Sequence, residues 1–194
     1  KELTPPNLSS LIQSIKEMNT QIQDTPRIYV GTYRKYNNGS IGGKWMELED
    51  YANKEDFIEA CTLLHKDESD PEFMFQDWEH IPSGGLIDEG YVKESLWDWL
   101  ALDEDERELL GLYLDHVDGA ANIETAQENF AGRHDSEKDF AAEWTHETTG
   151  EEDFGSIESR LGIVIDWEAT WNGYLRHSFS SVRHNGEFWF FHNN

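Results

Sequence analysis

The sequence predicts an α+β fold in which mixed helix and strand regions at both ends flank an acidic helical middle. Runs rich in β-branched and aromatic residues, which are typical of strands, occur towards both ends of the chain. Between them, over residues 86–130, large apolar residues recur at helical spacing. The chain has 194 residues, 13% of them aromatic, which is enough for one ordinary domain or for two to three small ones.

Residues 1–25 are predicted to form an N-terminal helical extension. After Pro5-Pro6, apolar residues follow one another at helical spacing, with Asn7 or Ser9 as possible caps. The stripe consists of Leu8, Leu11, Ile12, Ile15 and Ile22. With three acids and two bases, this segment is almost neutral. We expect a helix that docks on the main body or on a partner subunit.

Residues 26–85 are predicted to form a first α+β domain. "RIYVGTYRKY" and "GKWMEL" have strand composition and are separated by the turn signal "NNGS". "NKEDFIEACTLLHKD" predicts a helix capped by Asn53, with Phe57, Ile58, Cys61 and Leu64 on one face. "EFMFQDWEHIP" predicts a further strand that ends before Pro82.

Residues 86–130 are predicted to form a second, helical domain with the highest charge density of the chain, 13 acids against 2 bases. The stretch "ESLWDWLALDEDERELLGLYLDHVDG" indicates one long helix with an apolar face and an acidic face, followed by the helix "NIETAQENF". Arg107 is the only Lys or Arg in the long stretch. Like charges at helical spacing are destabilising, so we infer that these acids are retained for a use.

Residues 131–194 are predicted to form a third domain of mixed structure. Ser136 followed by Asp139 resembles a capping box, and "DSEKDFAAEWTHET" and "IDWEATWNGYLRHSF" indicate helices. "FSSVRHNGEFWFFHN" predicts a hairpin that turns at Asn185-Gly186.

The sequence offers no motif for catalysis, a metal ion or a cofactor. Asn37–Gly43 lacks the spacing of a phosphate-binding loop, and the eight histidines form no HExxH pattern. There is no nucleophile elbow, and the single cysteine, Cys61, is predicted to be a core thiol. A carboxylate hydrolase stays an alternative class, although no spacing among the 40 acids favours one pair.

The net charge of −25 is the strongest functional signal. Such a chain repels nucleic acid and anionic lipid and attracts basic partners. No apolar run approaches the length of a membrane span. At the charge density of B-DNA, 25 charges correspond to about 42 Å of duplex, or roughly 12 base pairs. An acidic adaptor or chaperone for another basic DNA-binding protein is the alternative to mimicry of DNA.

Specific motifs resemble a known family. "RIYVGTYRKYNNGSIGGKWMELEDY" followed by "DPEFMFQDWEHIP" is similar to the opening of the ArdA antirestriction proteins, and the acidic middle, "DSEKDFAAEW" and "IDWEATWNGYL" follow in the same order. The resemblance implies an elongated, three-domain DNA mimic that forms homodimers. It implies a bacterial cytoplasmic protein, carried on mobile elements, with neither catalysis nor a cofactor. Its partner would be the methyltransferase core of type I restriction-modification enzymes, with restriction and also modification blocked.

The resemblance assigns roles to two sets of residues. The predicted dimer contact, placed in the third domain, consists of Ile157, Leu161, Ile163, Val164, Ile165 and Trp167; the alternative for these residues is an ordinary core. The predicted phosphate-mimicking carboxylates are Glu47, Glu49, Asp50, Asp67, Glu68, Asp70, Asp88, Glu89, Glu94, Asp98, Asp103, Glu104, Asp105, Glu106, Glu108, Asp115, Asp118, Glu124, Glu128, Asp135, Glu137, Glu147, Glu151, Glu152 and Asp153.

Overall fold

The structure is a computed structural model that describes residues 25–149 and 154–193. The predicted helix of the N-terminal extension and the carboxylates Glu151, Glu152 and Asp153 therefore lie outside the described residues. The chain divides into two compact units, with the division between Leu102 and Asp103. We call them unit 1 and unit 2 and describe each by itself.

Unit 1 contains β1 (Arg27–Thr32), α1 (Tyr33–Asn37), β2 (Lys44–Glu47), a 3-10 turn (Leu48–Asp50), α2 (Lys54–Leu64), β3 (Phe73–Glu79), β4 (Ile87–Asp88), β5 (Tyr91–Val92) and α3 (Ser95–Leu100). β1 is the central strand of an antiparallel sheet with the order β2-β1-β3. β4 and β5 form a separate two-stranded ribbon. The strands predicted from "GKWMEL" and "EFMFQDWEHIP" are confirmed.

The segment that follows β1 was predicted to continue the strand, but Tyr33–Asn37 is the short helix α1. The strand ends at Thr32 because the Thr32 side chain accepts a hydrogen bond from the backbone N–H of Lys35 and so caps α1. The chain then returns to begin β2 next to β1, where a Cβ on Gly43 would lie 2.4 Å from the Val30 carbonyl oxygen. Glycine is therefore required at the point where the two strands approach.

The core of unit 1 forms around Phe57 on α2. The predicted cap is confirmed, since the Asn53 side chain accepts from the N–H of Asp56 and starts the helix. The Phe57 ring lies 6.1 Å from Phe75 of the sheet and 5.7 Å from Trp97 of α3, measured between centroids. Trp97 also donates to the Tyr51 carbonyl at 3.2 Å. Packing on Trp97 therefore makes α3 part of unit 1.

Unit 2 contains α4 (Glu104–His116), α5 (Ile123–Asn129), β6 (Phe130–His134), α6 (Glu137–Thr149), α7 (Phe154–Leu161), α8 (Trp167–Gly173), a 3-10 turn (Leu175–His177), β7 (Phe179–His184) and β8 (Glu187–His192). Its antiparallel sheet has the order β6-β8-β7. The predicted hairpin is confirmed: His184 pairs with Glu187, and Asn185 and Gly186 both have positive φ, as a tight hairpin turn requires.

Aromatic residues fill the core of unit 2. Phe140 on α6 stacks on Phe190 of β8 at 3.9 Å between centroids, and Trp171 of α8 and Phe179 of β7 close the cluster. The predicted cap at the start of α6 is confirmed, because the Ser136 hydroxyl oxygen accepts from the N–H of Asp139. On another part of the sheet, Tyr113 of α4 meets Phe191 edge to face at 5.3 Å.

The prediction of one helix over Glu94–Gly119 is wrong. α3 ends at Leu100, and α4 begins after Asp103, whose backbone is extended and whose carboxylate accepts from the N–H of Glu106. A capping aspartate followed by acids is a helix start, and this local signal overrides the continuous apolar spacing. Two further strand regions lie in segments predicted as helix or left unassigned: the β4–β5 ribbon and β6.

The fold is mixed helix and strand, in agreement with the predicted α+β class. The division between the two units falls within the predicted helical domain of residues 86–130. The arrangement of three domains, 26–85, 86–130 and 131–194, stays a prediction, as does an acidic middle domain.

Candidate acidic interaction surface

Most of the predicted carboxylates are exposed on their own unit. Those exposed on unit 1 are Glu47, Glu49, Asp50, Asp67, Asp70, Asp88, Glu89, Glu94 and Asp98. Those exposed on unit 2 are Asp103, Glu104, Asp105, Asp115, Asp118, Glu124, Glu128, Asp135 and Glu147. Both units therefore present carboxylates to solvent, and these exposed acids are the candidate interaction surface.

The densest group of carboxylates lies at the beginning of α4. Asp103 is the cap, and Glu104, Asp105 and Glu106 form the first turn. The exposed N–H groups of a first turn carry partial positive charge and favour carboxylates there. Helix geometry therefore offsets part of the repulsion among these acids and holds them at one end of the helix.

Two carboxylates of α4 are half-buried and make contacts within unit 2. Glu108 accepts hydrogen bonds from His184 Nε2 at 2.8 Å and from Asn185 Nδ2 at 3.1 Å, both at the hairpin turn. Glu106 accepts from Gln127 on α5 at 3.3 Å. Glu137 on α6 is also half-buried and accepts from the Ser181 hydroxyl. These three acids tie elements together and present less charge to a partner.

Glu68 is buried, so it cannot belong to an exposed surface. Its side chain is 3% exposed, and it accepts from the Thr32 hydroxyl at 2.7 Å. The ammonium of Lys35 lies 4.0 Å from the same carboxylate oxygen and 2.9 Å from Asp67. Sequence pattern does not separate Glu68 from its neighbours, because burial here depends on the strand and helix that fold around it.

Asp67, one residue away, stays on the surface. The hydrogen bond from Lys35 holds the pKa of this exposed carboxyl below its usual value. Lys35 itself is held between Asp67, Glu68 and Nδ1 of the buried His65. The cation is therefore neutralised within unit 1.

Several arginines are also engaged with other side chains. Arg27 pairs with Glu79 and lies over the Trp45 ring at 4.7 Å. Arg133 lies over Trp189 at 4.8 Å, and Arg183 lies over Phe188 at 5.9 Å. Stacking on aromatic rings holds these guanidinium groups close to the protein body. Arg27 is thus paired with a carboxylate, whereas Arg133 and Arg183 are exposed and keep their positive charge.

Further exposed acids escaped the sequence prediction. They are Glu55, Asp56, Glu59, Glu72, Asp77, Asp139, Glu143, Asp166, Glu168 and Glu187. Many lie in first turns of helices or on strands, where local charge density gave no reason to single them out. Hydrophobic periodicity could have found those of α2, because they fall opposite the apolar face.

The predicted dimer residues divide into an exposed group and a half-buried group. Leu161, Ile163 and Val164 are 60%, 48% and 89% exposed, and they follow one another where α7 ends. Ile157, Ile165 and Trp167 are half-buried, with Trp167 resting on Phe154 at 5.7 Å. Three exposed aliphatic residues within four positions, interrupted by Gly162, form a small apolar patch on unit 2.

Comparison with known proteins decides the family. The chain matches the family described as antirestriction protein (ArdA) over residues 28–184. The chain belongs to the ArdA family. Neither a curated protein nor a solved structure matches it.

The ArdA match covers every candidate carboxylate and the whole apolar patch, while the N-terminal extension lies outside it. Within residues 25–149 and 154–193, no group of three His, Cys, Asp or Glu side chains is placed to hold a metal ion. In the same residues, no helix is both long and apolar enough to cross a membrane.

Proposed function

We propose that this ArdA protein inhibits type I restriction-modification enzymes by placing its carboxylates where the DNA phosphates bind. The observation that carries the proposal is the exposure of carboxylates on both units, together with the pairing of Arg27 and Lys35 with neighbouring acids in unit 1. A groove built to hold phosphates is rich in Lys and Arg, which these carboxylates complement. Family membership supports the antirestriction role.

The mechanism is occupation of a binding site, with no bond made or broken and no cofactor. The enzyme's cations exchange their counterions for carboxylates, as they do for phosphates, and DNA is excluded from the same groove. Because exposed charges act mainly through the encounter rate, the contribution is spread over many acids. We expect modification to be blocked together with restriction, because both activities need the DNA-bound methyltransferase core.

We further propose that the protein is a homodimer whose contact includes the apolar patch of Leu161, Ile163 and Val164. The high exposure of these side chains supports this role, since adjacent exposed aliphatic residues commonly mark an interface. A dimer would double the charge offered to one enzyme. The site of action that we propose is the cytoplasm of a bacterial cell, where restriction enzymes meet incoming DNA.

The proposal is tested by adding the purified protein to a type I restriction enzyme with unmodified DNA. We expect cleavage and methylation to fall together as the protein approaches one dimer per enzyme. A variant with Asp103→Asn, Glu104→Gln and Asp105→Asn should inhibit less strongly without losing all inhibition. Undiminished cleavage at a large excess of folded protein would contradict the proposal. If the protein then bound another basic DNA-binding protein tightly, an adaptor role would replace it.

A further inference from the structure

Unit 1 has an open groove between the strand β2 and the helix α2. The groove has a volume of about 490 Å³. Its walls are lined by Trp45, Met46, Tyr51, Ala60, Leu63 and Leu64, with Lys44, Glu47 and Asp50 at polar positions. Most of the lining side chains are therefore apolar or aromatic.

Two features of this groove favour association with another segment: an exposed leucine and an open strand edge. Leu63 is 65% exposed although it lies on the same helix as the core residue Phe57. β2 is an edge strand, and among the described residues β1 is its only hydrogen-bonded partner. An exposed leucine next to an open strand edge is a site at which chains can associate unless a segment covers it.

The chain enters unit 1 beside this groove. The carbonyl oxygen of Pro26 accepts from the N–H of Leu48, at 2.9 Å. Leu48 directly follows Glu47, which lines the groove, and Asp50 and Tyr51 come next. The residues that precede Pro26 therefore begin close to one end of the groove.

The N-terminal extension has the composition of a segment that could cover the groove. Its stripe of Leu8, Leu11, Ile12, Ile15 and Ile22 is predicted to be one face of a helix, about 22 Å long for 15 residues. The extension carries three acids and two bases, whereas the rest of the chain carries 37 acids and 13 bases. It can therefore approach the acidic body with little repulsion. Because the ArdA match begins at residue 28, the family match does not account for it.

We propose that residues 8–22 of the chain dock in this groove as an amphipathic helix. Ile22 and Pro26 are four residue steps apart, which is at most about 14 Å when extended, so the proposed helix ends near Leu48. So short a link gives an effective concentration on the order of millimolar, which favours the chain's own segment over a second copy. The docked stripe covers Leu63 and shields the edge of β2.

The test measures how fast a thiol reagent labels a cysteine placed in the groove of the full chain. Leu63→Cys reports on the groove, and Ile41→Cys, at a position that is 78% exposed, is the matched control in the same unit. The native Cys61 is fully buried, so its background labelling is slow and is measured in the parent chain. We expect Leu63→Cys to react at least tenfold more slowly than Ile41→Cys.

Two variants of the extension show whether its apolar stripe causes the protection. Ile12→Asp with Ile15→Asp should raise the labelling rate of Leu63→Cys at least tenfold. Gln13→Asp with Thr20→Asp adds the same charge on the opposite face and should leave the rate unchanged. Equal labelling of Leu63→Cys and Ile41→Cys, or no response to Ile12→Asp with Ile15→Asp, would overturn the proposal. Protection that disappears on dilution from 100 to 1 µM would also overturn it, since a second copy would then be the occupant.

Discussion

The side chain of Glu68 joins the end of β1 to the loop after α2. Its carboxylate accepts from the Thr32 hydroxyl, and Thr32 in turn caps α1 by accepting from the N–H of Lys35. A buried carboxylate is tolerated only where hydrogen bonds and an opposite charge compensate its lost hydration. Thr32 supplies the hydrogen bond, and the Lys35 ammonium at 4.0 Å supplies the charge. Glu68 therefore serves the fold of unit 1 and not the acidic surface.

We predict that Glu68→Ala lowers the free energy of unfolding by about 1–3 kcal/mol, because it leaves the buried Thr32 hydroxyl without its acceptor. The exposed Asp70 is the control, and Asp70→Ala should change stability by no more than about 0.5 kcal/mol. Urea denaturation of both variants measures the difference. Equal stability of the two would show that the Glu68 contacts contribute nothing.

The thiol of Cys61 gives unit 1 a dependence on alkaline pH. Burial raises the pKa of this thiol to about 12, from the value of 9.0 that is usual for an accessible cysteine. Because the folded-state pKa is the raised one, the stabilisation is complete below about pH 9 and is lost as pH rises towards 12. The loss amounts to about 1.4 kcal/mol for each pH unit in that window.

We predict that the free energy of unfolding falls more steeply above pH 9 in the wild type than in Cys61→Ala. Groups remote from Cys61 affect both proteins alike, so the difference between the two curves reports the thiol and its neighbour Tyr51, whose pKa is raised by burial and by the charges of Asp50 and Cys61. Urea denaturation at half-unit steps from pH 8 to 10.5 provides both curves. Parallel curves would mean that the thiol is accessible in the folded protein.

At the scale of elements, the acids at the start of α4 serve the helix as well as a partner. Asp103 caps the helix through its side-chain oxygen, and the acids that follow meet the positive end of the helix dipole. Capping needs an oxygen acceptor, whereas attraction to a basic groove needs the charge. The two roles can therefore be separated by substitution.

We predict that Asp103→Ala destabilises the protein by about 1 kcal/mol, whereas Asp103→Asn changes stability by a few tenths, since asparagine caps as well as aspartate does. Both variants remove one negative charge and should weaken binding to a type I enzyme equally. Urea denaturation and a binding titration on the same samples check the two outcomes. If Asp103→Asn were as unstable as Asp103→Ala, charge and not capping would start α4.

The apolar patch after α7 allows a test of the proposed dimer. We predict that Val164→Asp converts a dimer to a monomer in sedimentation velocity, because it places a charge at the most exposed aliphatic side chain of the patch. Ser159→Asp adds the same charge at an exposed polar position of α7 and should leave the dimer intact. A dimer that survives Val164→Asp would place the contact elsewhere.

Local signals predicted some elements well and failed where long-range contacts decide. The cap of α2, the cap of α6 and the β7–β8 turn could be predicted from a few residues, because each depends on contacts within three or four positions. Asn53 and Ser136 each accept from a backbone N–H three residues later, and Asn185-Gly186 adopts the positive φ of a tight turn. The prediction of a single helix over Glu94–Gly119 failed for two reasons. Trp97 packs on Phe57, 40 residues earlier, and Asp103 caps a new helix. Periodicity alone contains neither fact.

The candidate acidic surface could likewise be predicted only in part from the sequence. Its identity as a set of exposed acids follows from composition, because 40 acids among 194 residues cannot be buried. The burial of Glu68 and the half-burial of Glu106, Glu108 and Glu137 depend on partners such as Thr32 and His184, which are distant in sequence. Contacts of this range are set by tertiary packing.

At the scale of the whole molecule, the charge of −25 imposes self-repulsion that a globular protein without such a partner has no need to carry. A partner rich in Lys and Arg removes that repulsion and releases counterions from both surfaces. Both effects weaken as salt screens the charges, with a Debye length of about 8 Å at physiological ionic strength. A steep dependence on salt is therefore the expected signature of binding by this surface.

The most direct test of phosphate mimicry is competition for a labelled DNA target held by the methyltransferase core of a type I enzyme. We predict that the protein displaces the DNA near one dimer per enzyme. Its own affinity, measured directly for the enzyme without DNA, should fall at least about a hundredfold between 50 and 200 mM salt. Failure of the folded protein to displace DNA from several such enzymes, or an affinity that does not change with salt, would contradict the account.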